Sequence, residues 1–382
     1  MNKIQKFVST SLVLCLLWSS CYAQPSDNPL KSAVDSFTDA HVKNFFTGPG
    51  AVGLSIGIYH DGKTYTYNYG QVDKDKQELP AITTLFNLAS ITKTMTGYLL
   101  AQASLEGKVG LNDDIRKYLS GNYPNLEYAG QPIRLYHLLN HCSGLPFFLP
   151  EKPGAFNDTS LSPNTIAARL LKNYSRADFY KDLHKVRLDT VPGYHFHYSN
   201  AAGQLCGYIL EKVYGMTYEA LLRQSLNRRL KMVNTTITLT SADSSRYAKG
   251  YDQNGHRTPN NPVEFQAAGA VKSTVADMLR YLEWQINEED EAVRLSHRPT
   301  TRINNEGYSV GLNWNMIKTP QGVRAIWQDG NTPGTSSLCI FYPHYRLGII
   351  LFSNQSGPTV NHRMYLMGEG IMKAIEPGVP EF

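Results

Sequence analysis

The sequence predicts an α+β protein in which strands from both ends of the chain form one antiparallel sheet flanked by helices. Runs typical of β-strands are concentrated at residues 51–69 and 310–352, whereas helical spacing of apolar residues dominates residues 108–261. Separated strand-rich and helix-rich stretches favour layered α+β architectures. We therefore predict a sheet domain from residues 24–107 and 262–382, a mostly helical domain inserted at 108–261, and an active site where the two domains meet.

The N-terminal part of the sheet domain begins with a helix and continues as a hairpin. Apolar residues at helical spacing predict a helix within residues 27–47, and Gly-Pro-Gly at 48–50 ends it. Residues 51–59 form an apolar run typical of a buried strand. Asp61-Gly62 is a two-residue turn signal, and residues 63–69 alternate as the hairpin partner.

The elements of the rest of the chain are predicted from helical spacing and from strand alternation of apolar residues. A helix begins at Ser90 and ends at Gly107, and further helical segments are predicted at residues 111–119, 133–140, 163–173, 201–214, 217–226, 275–286 and 358–374. Short β-rich runs are predicted at residues 310–316, 324–327, 337–342 and 347–352.

The N-terminus has the pattern of a secretory signal peptide. Lys3 and Lys6 precede an apolar run, and small residues at positions 21 and 23 suit cleavage before Gln24. The run is about twelve residues long, too short for a permanent membrane span. We expect residues 1–23 to be removed and the mature protein to be exported, into a periplasm. A lipoprotein anchored through Cys21 is the less favoured alternative, because Trp18 is a poor residue before a modified cysteine.

The composition indicates which partners and which cysteine roles to expect. The chain is 42% hydrophobic, 18% charged and carries a net charge of +5, without clusters of basic and aromatic residues, which disfavours a nucleic-acid partner. Removal of the leader leaves Cys142, Cys206 and Cys339. One disulfide among them is possible, but without a C-x-x-C pattern we expect buried small apolar residues.

Ser90 and Lys93 form the only Ser-x-x-Lys of the chain and stand at the start of a predicted helix. Positions i and i+3 share a helix face, so the hydroxyl and the amine point into the same space. A serine needs a base within hydrogen-bond reach to act as a nucleophile, and a lysine held partly out of water loses its proton more easily. A helix cap and a solvated surface lysine are the alternative interpretation.

Tyr198 and Asn200 place a phenol and a carboxamide on a loop just before a predicted helix. Beside a lysine ammonium the phenolate is favoured, so we expect the pKa of Tyr198 to fall. Tyr198 would then take the proton from Ser90 and hand it to the leaving group. Asn200 can contact a substrate amide and help fix Lys93. Alternatively, Tyr198 packs on the helix and Asn200 caps it.

Residues 327–337 are predicted to form a glycine-rich turn between strands. Gly330 at a strand edge would let a substrate backbone approach closely, and neighbouring N–H groups can point at a developing oxyanion. A plain hairpin turn has the same composition and remains the alternative.

These three motifs, in this order, resemble the serine β-lactamase-like family of class C β-lactamases, low-molecular-weight penicillin-binding DD-peptidases and related esterases. Further stretches fit the family, at residues 138–146 (Leu-Leu-Asn-His-Cys-Ser-Gly-Leu-Pro), 192–200, 268–278 and 311–314. The resemblance covers nearly all of the mature chain. It implies the β-lactamase/transpeptidase-like fold and the absence of a metal or organic cofactor.

The resemblance also implies a role for each motif residue. Ser90 would be the nucleophile that forms an acyl-enzyme, Lys93 and Tyr198 would share the proton transfers, and Asn200 would contact the substrate. The oxyanion hole would come from the backbone N–H groups of Ser90 and of Asn331, the residue after the motif glycine.

The third motif departs from the family pattern. Its first position is usually Lys or His, a cation that attracts the carboxylate of a penicillin or of a D-Ala-terminated peptide, and here it is Gln328. Asp329 follows in place of a small residue. A charge-assisted hydrogen bond is roughly twice as strong as a neutral one, so we expect weakened carboxylate recognition. This departure weakens the β-lactamase interpretation more than the serine-hydrolase interpretation.

Two histidine pairs have spacings that a metal site could use. His137 and His141 lie four residues apart but lack the Glu of the zincin pattern, and His195 and His197 lie beside Tyr198. We expect hydrogen-bonded structural histidines, and we keep as a hypothesis that His195 or His197 lines the substrate groove.

We therefore predict an exported serine hydrolase that acts through an acyl-enzyme on a small amide or ester, in particular a D-Ala-type cell-wall peptide. Its partners would be short peptides or peptidoglycan fragments. A carboxylesterase or β-lactamase of the same family is the alternative. A non-catalytic protein that binds penicillin or cell-wall peptides is the alternative of another class, but such a protein has no need of Ser90, Lys93, Tyr198 and Asn200 together.

Overall fold

A computed structural model describes residues 25–48, 51–152, 154, 163–258, 266–302 and 307–380, so the predicted leader lies outside it. The helices are α1 (Ala33–Phe46), α2 (Thr92–Leu105), α3 (Leu135–Leu139), α4 (Pro163–Leu171), α5 (Arg176–Leu183), α6 (Asn200–Tyr214), α7 (Tyr218–Leu222), α8 (Arg228–Leu230), α9 (Ser241–Ser245), α10 (Gln266–Gly269), α11 (Val275–Asn287), α12 (Glu291–Ser296) and α13 (Pro358–Ile375). The strands are β1 (Gly53–His60), β2 (Lys63–Gly70), β3 (Phe86–Asn87), β4 (Glu127–Tyr128), β5 (Gln131–Pro132), β6 (Lys272–Ser273), β7 (Thr301–Arg302), β8 (Ser309–Gly311), β9 (Trp314–Lys318), β10 (Arg324–Asn331), β11 (Ser336–Tyr342) and β12 (Leu347–Ser353).

The main sheet is antiparallel and contains strands from both ends of the chain. Its order is β2-β1-β12-β11-β10-β9-β8-β7. The hairpin turn between β1 and β2 has positive φ at Asp61 (44°) and Gly62 (81°), the conformation that a two-residue hairpin loop needs. β1 then pairs with β12, with Leu54 opposite Ser353. Pairing of β1 with β12 joins the N-terminal hairpin to the C-terminal strands, as the sequence pattern predicts.

Helices cover both faces of this sheet. On one face, α1 and α13 pack together and bury residues such as Phe45 and Ile371 against the strands. On the other face, α11 lies against β1, where a Cβ added to Gly57 would come within 2.8 Å of Val275. Buried residues of this second face, of α2 and of α6 belong to one apolar core.

Helix α2 lies at the centre of the molecule. Eleven of its fourteen residues are buried, because α6, α10 and α12 surround it. Gly97 permits the closest approach, since an added Cβ would lie 2.1 Å from the carbonyl oxygen of Leu312. The turn that precedes α2 contacts β10 and β11, so the N-terminus of α2 lies between the sheet and the surrounding helices.

Two strand predictions were wrong in their boundaries. Residues 310–316 form two strands, β8 and β9, because Leu312 and Asn313 both have positive φ (39° and 74°) and turn the chain back. The two central residues of this turn are neither Gly nor Pro, so the strand-like alternation of apolar residues hides it. Residues 328–331, expected in a turn, continue β10, and the tight turn follows at residues 332–335.

Cys142, Cys206 and Cys339 are buried and unpaired, as expected from their spacing. Within the described residues, no helix is long and apolar enough to cross a membrane. The predicted domain boundary at residue 262 lies among residues 259–265, outside the described part, and the domain limits remain a prediction.

Candidate active site

Ser90 lies in a sharp turn between β3 and α2. The turn is a short 3₁₀ segment, Ala89–Ile91, in which Ala89 has a positive φ of 48°. The N–H of Ala89 donates to the side chain of Asn87 at 2.7 Å, which holds this unusual conformation. The turn places the hydroxyl of Ser90 on the wall of a cavity.

Lys93 lies one turn after Ser90 and is fully buried. Its ammonium nitrogen donates to Ser90 Oγ at 3.1 Å, to Asn200 Oδ1 at 2.8 Å and to the carbonyl oxygen of Ala268 at 2.6 Å. Burial disfavours the charged form and lowers the pKa of Lys93 to about 7. Near neutral pH, a substantial fraction of Lys93 is therefore unprotonated and able to accept a proton from Ser90.

Tyr198 lies on the other side of Ser90. Its hydroxyl donates to Ser90 Oγ at 2.6 Å, and its ring lies 4.9 Å from Lys93 Nζ. The expected fall in the pKa of Tyr198 was wrong: burial raises this pKa, because the phenolate would lose its hydration. Lys93 offers little compensating charge, since its own ammonium is destabilised. Tyr198 is a proton donor at neutral pH.

Asn200 is the first residue of α6 and lies beside Lys93. Ser199 caps this helix, with its hydroxyl accepting from the N–H of Ala202 at 3.0 Å. Asn200 also lines the cavity, while its Oδ1 accepts the hydrogen bond from Lys93. The predicted contact with Lys93 is present, whereas a contact with substrate remains a prediction.

His141 is a site residue whose role the sequence pattern did not indicate. It has a positive φ of 56°, is buried, and its ring packs against the Tyr198 ring, with centroids 4.1 Å apart and the planes tilted by 32°. Its Nδ1 accepts from the N–H of Ser199 at 3.2 Å, and its carbonyl oxygen accepts from the N–H of His197 at 2.6 Å. The motif at residues 138–146 marked the position, but only packing assigns His141 to the loop that carries Tyr198.

Gly330 brings β10 against the Ser90 turn. A Cβ added there would lie 2.6 Å from the backbone nitrogen of Ser90 and 2.8 Å from the carbonyl oxygen of Leu88, so only glycine fits. β9 pairs with residues 324–327 of β10, and no strand of the described chain pairs with residues 328–331 on that side. The third motif therefore forms an open strand edge beside Ser90.

The N–H of Asn331 points away from β11. Thr332 N–H donates to the carbonyl oxygen of Thr335 at 2.9 Å, and bonded and non-bonded residues alternate along an antiparallel strand. The N–H of Asn331 is therefore on the open edge, on the side where the resemblance puts an oxyanion donor.

Gln328 is buried and held by the β8–β9 hairpin. Its Oε1 accepts from Asn315 Nδ2 at 2.9 Å, and its Nε2 donates to the carbonyl oxygen of Asn313 at 3.2 Å. Asn313 in turn donates to the carbonyl oxygen of Lys93 at 3.0 Å. Gln328 thus connects the strand edge, the hairpin and α2.

Asp329 is held by α13. Asn361 Nδ2 donates to its carboxylate at 3.0 Å, and the side chain of Tyr365 bonds to it as well. Burial raises the pKa of Asp329, although these hydrogen bonds oppose the shift. The carboxylate is therefore pinned on the α13 side of β10.

The cavity beside Ser90 has a volume of about 240 Å³. One wall is apolar and comes from the helical part of the chain; the opposite wall is the open edge of β10. The apolar wall comprises Phe147, Phe148, Ala167, Ala168 and Leu171. A cavity with an apolar wall and a few convergent polar groups is typical of a small-molecule site.

The histidines do not converge on a metal site in the described chain, where no three metal-ligating side chains cluster. His137 Nδ1 accepts from the N–H of Arg134 at 3.0 Å. His195 and His197 are exposed in the loop that precedes Tyr198.

The fold and the chemistry of this site define a class of protein, a serine hydrolase. A family model described as "Beta-lactamase" matches residues 38–367, and the chain belongs to that family. The family resemblance, the fold class and the prediction of a serine hydrolase are thereby confirmed.

Individual relatives agree with this assignment. The chain is 28% identical over 381 residues to the D-alanyl-D-alanine-carboxypeptidase/endopeptidase AmpH of Escherichia coli, with 94% of each chain covered. It is 25% identical over 361 residues to a beta-lactamase of Pseudomonas fluorescens, covering 84% of this chain and 93% of the relative. A crystal structure of a beta-lactamase/D-alanine carboxypeptidase from Pseudomonas syringae superposes with a TM-score of 0.76 at 22% identity, over 91% of this chain and 100% of that one.

Proposed function

We propose that the protein is an exported serine hydrolase that cleaves a small amide or ester through an acyl-enzyme, with D-Ala-type cell-wall peptides as its substrate class. The observation that carries the proposal is the convergence of Lys93 Nζ and Tyr198 Oη on Ser90 Oγ, at 3.1 and 2.6 Å. The name of the Escherichia coli relative, a D-alanyl-D-alanine carboxypeptidase/endopeptidase, supports the substrate class. Export rests on the signal-peptide pattern of residues 1–23.

In acylation, Lys93 is the general base and Ser90 the nucleophile. The lowered pKa of Lys93, about 7, leaves enough neutral amine to accept the proton of Ser90. Ser90 Oγ forms a bond to the substrate carbonyl carbon, and the C=O electron pair moves onto oxygen. The N–H groups of Ser90 and Asn331 stabilise that oxyanion.

Tyr198 supplies the proton that the leaving group needs. Its raised pKa keeps it a phenol, and its hydroxyl already points at Ser90 Oγ. As the C–N or C–O bond breaks, Tyr198 gives its proton to the departing atom, and the ammonium of Lys93 restores the phenol. In deacylation, water replaces the leaving group and the same transfers run in reverse, which releases the acid and free Ser90.

A carboxylesterase is the second candidate. The apolar cavity wall suits an uncharged acyl or alcohol group, and Gln328 offers no positive charge to a carboxylate. A non-catalytic binding protein is disfavoured, because binding alone does not require a buried lysine of lowered pKa beside a serine.

The proposal is tested with a p-nitrophenyl ester and a fluorescent penicillin, on the wild type, Ser90→Ala and the control Ser245→Ala. Ser245 is exposed and lies outside the cavity lining. We expect the wild type and the control to hydrolyse the ester and become covalently labelled. Ser90→Ala should lose on the order of 10³-fold or more in ester turnover and should not be labelled. Equal turnover by the wild type and Ser90→Ala would overturn the proposal.

A further inference from the structure

The cavity offers no positive charge to a substrate carboxylate. Among the described residues that line it, none is Lys, Arg or His, and the single charged side chain is Asp329. The internal segments outside the described backbone, at residues 49–50, 153, 155–162, 259–265 and 303–306, contain no Lys, Arg or His in their sequence. Arg302, whose side chain is not described, is on β7, and β8 and β9 separate that strand from β10. An anionic group bound here would be desolvated without an opposite charge from the lining, which is costly.

Lys93 cannot replace the missing cation. Its three donors are already directed to Ser90 Oγ, Asn200 Oδ1 and the carbonyl oxygen of Ala268. An ammonium has three donors and no more. Binding a carboxylate at Lys93 would therefore break a contact that positions the base, and it would raise the pKa that lets Lys93 act as one.

Gln328 offers a substrate one neutral N–H at most, because the rest of its amide is bonded to the hairpin. Its Oε1 receives Asn315 Nδ2 at 2.9 Å, and its Nε2 is directed to the carbonyl oxygen of Asn313 at 3.2 Å. Reorienting the amide toward a substrate would leave buried partners in the hairpin unpaired. Asp329, the next residue of β10, supplies no cation either, and its carboxylate is held on the α13 side by Asn361.

We propose that this site selects substrates whose leaving group is uncharged, namely esters and peptides that are amidated or continue beyond the cleaved bond, over substrates whose leaving group ends in a free carboxylate. The preference follows from the absence of a cation at position 328 on the strand edge. The inference deepens the proposed function and rests on it. In terms of peptide chemistry, the protein cleaves within a peptide or at an ester more readily than it removes a terminal amino acid.

The experiment compares matched substrates that differ only in this charge. The first pair is an N-acyl-D-Ala-D-Ala acid and its C-terminal carboxamide. The second pair is a 4-nitrophenyl ester and its 3-carboxy-4-nitrophenyl analogue, each corrected for its uncatalysed hydrolysis rate. We expect kcat/KM of the wild type to favour the uncharged member of each reactive pair by about tenfold, the effect of one lost charge-assisted contact.

Two variants test the residue, and a third controls for net charge. Gln328→Lys should shift the ratio toward the carboxylate substrate by about tenfold. Gln328→Met, which breaks the same hydrogen bonds without adding charge, should leave the ratio unchanged. Val233→Lys adds the same charge at a residue that is 74% exposed and outside the cavity lining, and should also leave it unchanged.

The outcomes separate this inference from the proposed function. A wild type that favours the carboxylate member, or shows no preference, overturns the inference while leaving the hydrolase intact. A preference for the neutral ester without peptide cleavage supports the inference and rejects the D-Ala-type substrate class. Turnover of both pairs no faster than that of Ser90→Ala overturns the proposed function, and the inference falls with it.

Discussion

Lys93 is held by three hydrogen bonds that would suit an ammonium, yet its burial lowers its pKa to about 7. The lost hydration of a charge is larger than the gain from three neutral acceptors, even with Asp329 opposing the shift. The same burial raises the pKa of Tyr198. Burial moves the two pKa values in opposite directions, so Tyr198 is left as an acid and Lys93 as a base.

This opposition predicts the pH dependence of the reaction. Lys93 must be neutral to accept the Ser90 proton, so kcat/KM for a p-nitrophenyl ester should fall as pH decreases through about 7. Above pH 8 the profile should remain level to about pH 10, since Tyr198 stays protonated. Rates at each pH are corrected with Ser90→Ala. A midpoint near pH 10 would mean that Lys93 keeps an ordinary pKa and would contradict this account.

At the scale of single elements, the loop that carries Tyr198 depends on His141. The ring of His141 supports the Tyr198 ring, its Nδ1 receives the N–H of Ser199, and its carbonyl oxygen receives the N–H of His197. His141 keeps a left-handed backbone at φ 56°, a conformation that Asn tolerates better than most residues. The short segment 193–199 is therefore ordered from outside, by a residue more than fifty positions earlier.

Substitutions at His141 separate positioning from stability. His141→Ala removes the acceptor for Ser199 and the surface under Tyr198, so kcat should fall by about 100-fold, as expected for a displacement near 1 Å, with little change in KM. His141→Asn retains an acceptor at the δ position and the backbone preference, and should recover most of kcat. Thermal denaturation of both variants provides the control. Equal loss of kcat and equal Tm for Ala and Asn would show that the acceptor does not position Tyr198.

The β8–β9 hairpin illustrates the opposite case, an element that local pattern misses. Residues 310–316 carry the apolar alternation of one strand, but Leu312 and Asn313 turn at positive φ. The turn is stabilised by contacts distant in sequence: the N–H of Leu312 donates to Asn140 Oδ1 at 3.1 Å, and the Asn313 side chain donates to Lys93. Tertiary partners therefore decide a conformation that local propensity disfavours.

At the scale of the whole molecule, the sheet and the helical segment share one core. A single apolar cluster contains Met95 and Leu205 from the helices together with Cys339 and Ile350 from the sheet. Elements that share a core lose their stability together. The predicted division into two domains therefore describes a difference in secondary structure and not two independent folding units. We do not expect either part to fold alone.

A shared core predicts a single unfolding transition for a protein that comprises residues 24–382. In urea, far-UV circular dichroism should follow the helices, and tryptophan fluorescence should follow Trp284, Trp314 and Trp327. We expect the two midpoints to coincide within error. Two separated transitions would show that the helical segment and the sheet are independently stable.

Much of the fold was predictable because its determinants are short-range. Period-2 and period-3.6 patterns located β1, β2, α2, α6, α11 and α13, and the i to i+3 spacing placed Ser90 and Lys93 on one helix face. The order of the motifs then indicated the family. Each of these features depends on residues only a few positions apart, so it can be recognised without knowing the tertiary structure.

The sequence by itself determined which chemical groups the site contains, and the tertiary structure decided what each group does. Tyr198 donates to Ser90 across a separation of 108 residues, and burial makes it an acid instead of the expected base. Gln328 lines the cavity, where its contact with substrate remains a prediction, and its Oε1 and one N–H are bonded to Asn315 and Asn313. A side chain loses its hydration only when distant segments of the chain pack around it. Its protonation state, and the hydrogen-bond donors and acceptors that it still has available for a substrate, are therefore decided by the folded structure.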